Sequence, residues 1–312
     1  MTGRSFEISE AIPTENDEAG PPAAFDWFVG VDWSGARGPR LPGLQVAMAK
    51  AGRSAPRLVP SPDGQHWTRS AFADWFVEIL SPNDRVLVGF DFAFSFPRFD
   101  RGEFFPNVPD APSTAADLWL CVDDVCEATG DFFAGAFVEG SRYARYFQGG
   151  VRYEPRLRIT DERCRILGLG RPESIFRLVG PAQVAKGSLA GMRVLHYLRL
   201  KVPHLCIWPF DRPPESRSVI VAVDMYPGAF VRISSAARGK VRDMQTLNQV
   251  LEFYGSAPLR DRISDDGSED DKADALIAAA ALRRLSGDGT VWNPPGLSVA
   301  RWWQEGWIFG VT

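Results

Sequence analysis

Three aspartates stand where strand-forming sequence least accommodates them. Asp32 ends the run Phe-Val-Gly-Val-Asp, Asp91 ends Val-Leu-Val-Gly-Phe-Asp, and Asp224 ends Val-Ile-Val-Ala-Val-Asp. Strands disfavour aspartate, and a carboxylate in a buried run loses its hydration unless something cationic compensates it. A turn cap at the end of a strand explains any one of them alone. Three buried runs that each deliver a carboxylate near their end form the stronger signal. A fourth piece is Asp-Asp-Lys-Ala-Asp-Ala-Leu at 270–276. Asp271 and Asp274 are three apart and share a helix face, and the pair Asp270 with Asp274 is geometrically possible too. The helix dipole accounts for Asp271. Asp274 sits a turn further in, ahead of Ala-Leu-Ile-Ala-Ala-Ala-Ala-Leu, so it is expected to face a site.

Carboxylates gathered without a matching set of lysines repel one another, and their natural partner is a hard divalent cation such as Mg2+ or Mn2+. Two such ions about 4 Å apart can activate a water and stabilise a departing oxygen in phosphodiester cleavage. Metal-assisted phosphoryl chemistry is therefore the leading expectation.

The elements that must position these residues are legible in outline. Residues 27–33, rich in aromatic and β-branched side chains, end at Ser34-Gly35 and predict a buried strand and a tight turn. Residues 44–50 alternate and predict the returning antiparallel strand. Residues 70–80 place Phe72, Trp75, Phe76 and Ile79 on one face of a surface helix, with Ser70 as cap and Pro82 as stop. The unbroken apolar runs 85–92 and 219–225 predict interior strands covered on both faces. Helices are expected near 115–129, 186–200, 243–254 and 269–285, the last capped by Ser268. The apolar tail 301–311 should pack back on the core. The segment 98–215 reads as a large insertion, and 1–24 as a flexible leader before a single domain at 25–312.

Composition bounds the rest. The 312 residues are 45% hydrophobic and 24% charged, which excludes a disordered or fibrous chain. With 35 Lys and Arg against 39 Asp and Glu, the net charge is -4, so any grip on nucleic acid must be local. Cys121, Cys126, Cys164 and Cys206 are too irregularly spaced for a disulfide scaffold or zinc ribbon. The acidic N-terminus and the lack of a long apolar stretch argue against secretion or a membrane span, and a cytoplasmic protein is expected.

Taken in order, Gly-Val-Asp-Trp-Ser-Gly, Gly-Phe-Asp-Phe-Ala-Phe-Ser-Phe-Pro, Val-Asp-Met-Tyr-Pro-Gly-Ala and Asp-Lys-Ala-Asp-Ala-Leu resemble a family of predicted nucleases of RNase-H-like fold, catalogued as a domain of unknown function. The closing Glu-Gly-Trp-Ile-Phe-Gly-Val is similar too, and 98–215 matches mainly at Gly-Pro-Ala-Gln-Val-Ala-Lys-Gly from 180. The spacing of Asp271 and Asp274 also resembles RuvC-type resolvases. The resemblance implies an α/β protein with a mixed five-stranded RNase-H-like sheet, flanking helices and a large insertion. It implies Asp32 as the ligand shared by two metals, Asp91 as the second strand carboxylate, and Asp274 with Asp271 completing the set. Asp224 is expected to bind substrate or orient a neighbour, since the strand that carries it lies farther from the metals in that fold. The glutamate that RNase H has on its first helix is missing, because Glu78, nearest in order, is expected to be exposed.

Ser34, Gln183 and Lys186 are candidate substrate contacts, Lys186 because a cation at a helix start can meet a phosphate; a solvated helix start explains it as well. Nine arginines with interleaved tyrosines between 142 and 177 suit a single strand, or equally an ordinary surface of ion pairs. His66, His196 and His204 form no metal triad, and Trp119, Trp292, Trp302, Trp303 and Trp307 read as core. Two rivals to the nuclease remain. An ATP-dependent phosphotransferase or ATPase of the actin and sugar-kinase type would cradle phosphates on Ser34-Gly35 and needs a second, similar half-domain. A non-catalytic binding module would keep the fold and a relic acidic pocket.

Overall fold

A computed structural model describes residues 24–78, 84–179, 184–212, 219–261, 263 and 266–312. The expected leader, but for Ala24, lies outside the described residues, as do Ile79, Pro82 and Gln183.

The protein is a mixed α/β structure built on one six-stranded sheet of order β3-β2-β1-β4-β6-β5. The strands are β1 (Trp27–Asp32), β2 (Gln45–Lys50), β3 (Arg57–Leu58), β4 (Arg85–Phe90), β5 (Leu205–Trp208) and β6 (Val219–Asp224). β2 runs antiparallel to β1 and β3, whereas β1, β4, β6 and β5 are parallel. The helices are α1 (Arg69–Glu78), α2 (Ala115–Val125), α3 (Gly135–Glu139), α4 (Ile159–Ile166), α5 (Val184–Lys201), α6 (Pro227–Ile233), α7 (Met244–Phe253), α8 (Glu269–Leu285), α9 (Gly289–Trp292) and α10 (Leu297–Trp302).

The sequence predicts five main strands and the structure has six. Neither β3, paired with β2, nor β5 falls on a predicted strand; β5 lies inside the segment read as an insertion and pairs with β6 as the sheet's edge. Its four residues, Leu-Cys-Ile-Trp, are too few to show a period, and only the partner strand makes them a strand. Every residue of β4 and β6 is buried, as unbroken apolar runs between two covered faces require.

Side-chain alternation sorts the two faces. Val29 and Val31 of β1, with Val88 and Phe90 of β4, point into a core closed by α1, α2 and α5. Phe28 and Leu87 point the other way, into a core filled by α6, α7 and α8. On that second face α8 lies directly on β1. A Cβ on Gly30 would stand 2.4 Å from the Ala275 carbonyl oxygen and 2.7 Å from Ala278 Cβ, so only glycine allows this approach. The alanines of α8 are the complementary half of the contact: Ala275 and Ala278–Ala281 are fully buried. The small-residue stretch thus sets how near α8 comes to the sheet.

Two expected caps differ. α1 begins at Arg69, and Thr68 Oγ1, not Ser70, accepts a first-turn N–H, that of Ala71, at 2.9 Å. Ser70 lies inside the helix, where its own N–H is taken by Asp131. Ser268 precedes α8 but makes no side-chain cap; its hydroxyl donates to Asp266 instead. The tail behaves as expected: Trp307, Phe309 and Val311 are fully buried, and Ile308 bridges to Asp224 at the end of β6. Trp119 and Trp292 are also core, while Trp302 and Trp303 are only half-buried.

Candidate functional site

Because β1, β4 and β6 are parallel, their C-terminal ends coincide, and this end of the sheet is where α/β proteins commonly bind ligands. Asp32 closes β1, and Asp91 follows β4, its N–H bonded to the Val31 carbonyl at 3.0 Å. Asp32 shares the face of Gly30 and so points toward α8. There α8 presents Asp271 and Asp274 from its first two turns. The Asp32 carboxyl lies close enough to those of Asp274, Asp91 and Asp271 for their charges to act on it. The four expected ligands therefore do assemble from three elements.

Asp224 lines the same cavity as Asp32 and Asp91, and its charge reaches Asp91, but its carboxylate belongs to the other face of the sheet. It follows Ile220 and Ala222, which face the α1–α5 core, so alternation turns it to the opposite side of the sheet from Asp32. There Arg158 Nη1 donates to its Oδ2 at 2.5 Å. The same guanidinium reaches Asp161 at 2.9 Å, and all three side chains are buried. Burial alone would lower the proton affinity of Arg158, but Asp161 and Asp224 reverse this and raise it. Burial pushes the Asp224 carboxyl up to about 7 against the pull of Arg158.

The carboxylates of the cluster are all raised, in every case chiefly by loss of solvent. Asp32 is raised well above the usual value by burial and by the charges of Asp274 and Asp91. Burial and Asp274 push Asp91 up to about 7. Asp271 is raised by burial and Asp270, and Asp274 by burial despite the cation beside it. That cation is Lys240, from the segment joining α6 to α7, whose Nζ donates to Asp274 Oδ2 at 2.5 Å. The sequence reading missed it, since nothing local ties a lysine 34 positions away to this aspartate. Its only sequence signal is rarity, the chain having five lysines.

No protein-family model, curated protein or solved structure matches this chain.

The loop after β1 is pinned over the cluster. Arg69 is fully buried and donates to the carbonyls of Ser34 (2.7 Å) and Ala36 (2.7 Å), which leaves Ser34 at the cavity wall. Trp33 Nε1 donates to the Gly187 carbonyl at 3.1 Å. A Cβ on Gly35 would come within 2.4 Å of the Gly187 nitrogen, so this loop and the first turn of α5 touch backbone to backbone. Beside this contact lies a cavity of about 560 Å3, whose lining includes Asp32, Asp91, Asp271 and Ser34 together with Arg171, Pro172, Glu173 and Ile175.

Lys186 sits elsewhere: its ammonium pairs with Glu139 at 3.1 Å and lies over the Phe133 ring, and it does not line the cavity. Of the basic and aromatic segment, Tyr143, Tyr146 and Phe147 are buried in the core, and Arg156 is held by Asp100 and carbonyls. These residues build structure. Glu78 is exposed.

The donor set suits a hard cation, being all carboxylate oxygen with no cysteine or histidine beside it, and carrying unbalanced negative charge that burial makes costly. As they stand, the side chains meet in pairs and Lys240 occupies Asp274. Among the described residues no group of three or more His, Cys, Asp or Glu has the arrangement of a finished ligand shell. Among the same residues no helix is long and apolar enough to cross a membrane.

Proposed function

We propose that the protein is a Mg2+- or Mn2+-dependent hydrolase of phosphodiester bonds in nucleic acid, on an RNase-H-like fold. The observation that supports it is the convergence of Asp32, Asp91, Asp271 and Asp274 near the carboxyl end of parallel strands, three of them lining an open cavity and Asp274 beside them, with every carboxyl raised chiefly by burial. Asp32 and Asp274 are the deepest of the four and would form the inner ligands; Asp91 and Asp271, more open to solvent, would complete them. A bound divalent ion supplies a Lewis acid that activates water and offsets charge on the departing oxygen. The rigid placement by β1, β4 and α8 sets the spacing of the four carboxylates without further ordering. Lys240 neutralises one charge of the group.

The sheet order is compatible with the RNase-H-like reading: an antiparallel β3-β2-β1 ribbon continued by parallel β4. The rival phosphotransferase calls for a second half-domain, and the described residues hold one sheet.

The test is calorimetric titration of Mg2+ and Mn2+ into the wild type, Asp32→Asn and Asp274→Asn, followed by cleavage of labelled DNA and RNA by the same samples. Metal binding lost in both variants, with cleavage lost alongside, supports the proposal. Unchanged metal binding in both variants shows that the aspartates are not one metal site and removes it. Retained metal binding to the wild type without cleavage of any substrate favours a binding module.

A further inference from the structure

We infer that the cavity receives an unpaired strand or strand end of nucleic acid, and that Arg171 holds a phosphate beside the one at the aspartates. The inference rests on the phosphodiesterase reading and adds the substrate's form.

Depth is the first argument. Asp32 and Asp274 are 5% and 4% exposed, whereas Arg171, which lines the same cavity as Asp32, is exposed. Arg171 therefore stands nearer solvent than the carboxylates. The cavity's volume of about 560 Å3 falls in the range of sites that enclose a small molecule, and its lining includes Arg171, Pro172, Glu173 and Ile175 together with Gly187 and Ser188 of α5. Gly35, also in the lining, approaches Gly187 backbone to backbone. A duplex keeps its bases stacked and paired and bends only at considerable cost, so it meets such a hole as a stiff rod. A single nucleotide unit of an unpaired strand can enter.

Charge is the second argument. Three cations line the cavity: Arg158, Lys240 and Arg171. Arg158 is engaged by Asp161 and Asp224, and Lys240 by Asp274. Arg171 makes no hydrogen bond or ion pair among the described residues, and the neighbouring Glu173 is paired with Arg177 at 2.7 Å. Arg171 is thus the uncommitted cation of the cavity, and a planar guanidinium suits bidentate contact with phosphate.

The experiment is fluorescence anisotropy in Ca2+ with end-labelled 12-nucleotide DNA and RNA single strands and a DNA duplex of the same sequence, each checked intact by gel. Both single strands, or one of them, should bind at least tenfold tighter than the duplex. Arg171→Ala should weaken single-strand binding about tenfold, Arg171→Glu more, and Arg171→Ala should lower the salt slope by about one. Equal or tighter binding of the duplex overturns the inference, as does unchanged binding by both Arg171 variants with wild-type melting temperatures. Failure of the two readings is distinguishable. Aspartate-dependent metal binding with cleavage of duplex in preference to single strands removes this inference alone. Arg171-dependent single-strand binding in a protein whose metal binding ignores Asp32→Asn and Asp274→Asn removes the metal mechanism alone.

Discussion

The Lys240 ammonium donates to Asp274 at 2.5 Å and is the cation that faces Asp32 and Asp91 as well. Burial by itself would lower its proton affinity, but the three carboxylates raise it. Half of the lysine side chain stays in solvent, so the contact is a partly screened, charge-assisted hydrogen bond.

A divalent ion and this ammonium would compete for the same oxygen. Lys240→Met is expected to lower the stability of the metal-free protein by about 1 kcal/mol in denaturant titration, less than a buried hydrogen bond to a charged group because solvent screens half of the lysine. It is expected to tighten Mn2+ binding in calorimetry. Weaker Mn2+ binding in Lys240→Met would show that the lysine organises the carboxylates instead of competing for them.

The raised carboxyls give the metal-free protein a distinctive pH dependence. Asp91, pushed from 3.8 up to about 7 chiefly by burial and then by Asp274, binds its proton more tightly folded than unfolded. Between those two values folding takes up a proton, so the contribution of this group is full below the unfolded pKa and is lost as pH rises through about 7. Asp91→Asn should therefore raise the melting temperature of the metal-free protein more at about pH 8 than at about pH 5. A variant that melts below wild type by the same margin at both pH values would contradict the buried repulsion described here.

The seating of α8 can be tested away from any ligand. Gly30→Ala places a Cβ 2.4 Å from the Ala275 carbonyl oxygen, a contact that only movement of helix or strand relieves. The expected cost is about 1–3 kcal/mol, the usual range for overpacking. Because α8 carries Asp271 and Asp274, metal affinity should fall too, although no ligand is changed. Thermal melting and calorimetry on one preparation read both effects. Wild-type values in both would mean that the helix is not seated on β1 in this way.

Arg158 and Asp224 should behave as architecture. Arg158→Met leaves Asp161 and Asp224 buried without their cation and is expected to cost about 3–5 kcal/mol. Asp224→Asn keeps the Asp161 partner and should cost less, while metal affinity stays within about twofold of wild type because the residue lies on the other face. Loss of metal binding in a folded Asp224→Asn protein would place it among the ligands after all.

Much of this architecture was legible locally. Continuous apolar runs marked β4 and β6, a hairpin pattern marked β1 and β2, and the acidic first turn with its alanine run marked α8. Aspartates at the ends of such runs pointed to Asp32, Asp91, Asp271 and Asp274, because a misplaced charge is visible in composition alone. Glu305 shows where that visibility stops. Its buried carboxylate accepts the N–H groups of Arg98, Phe99 and Ile159, so it ties the tail to two distant segments, and no period or spacing marks it.

What the chain alone determined is which segments are strands or helices and which carboxylates lie at their ends, since burial periodicity and helix dipoles act within a few residues. What tertiary structure decided is which carboxylates meet and what faces them. Asp32 and Asp224 end near-identical runs, yet the strand register sends one toward α8 and Lys240 and the other toward Arg158. Side chains alternate at each step along a strand, so a single residue of register reverses the face. The cavity and its free arginine likewise arise from segments far apart in the chain, brought together only by the packing of α5 against the loop after β1.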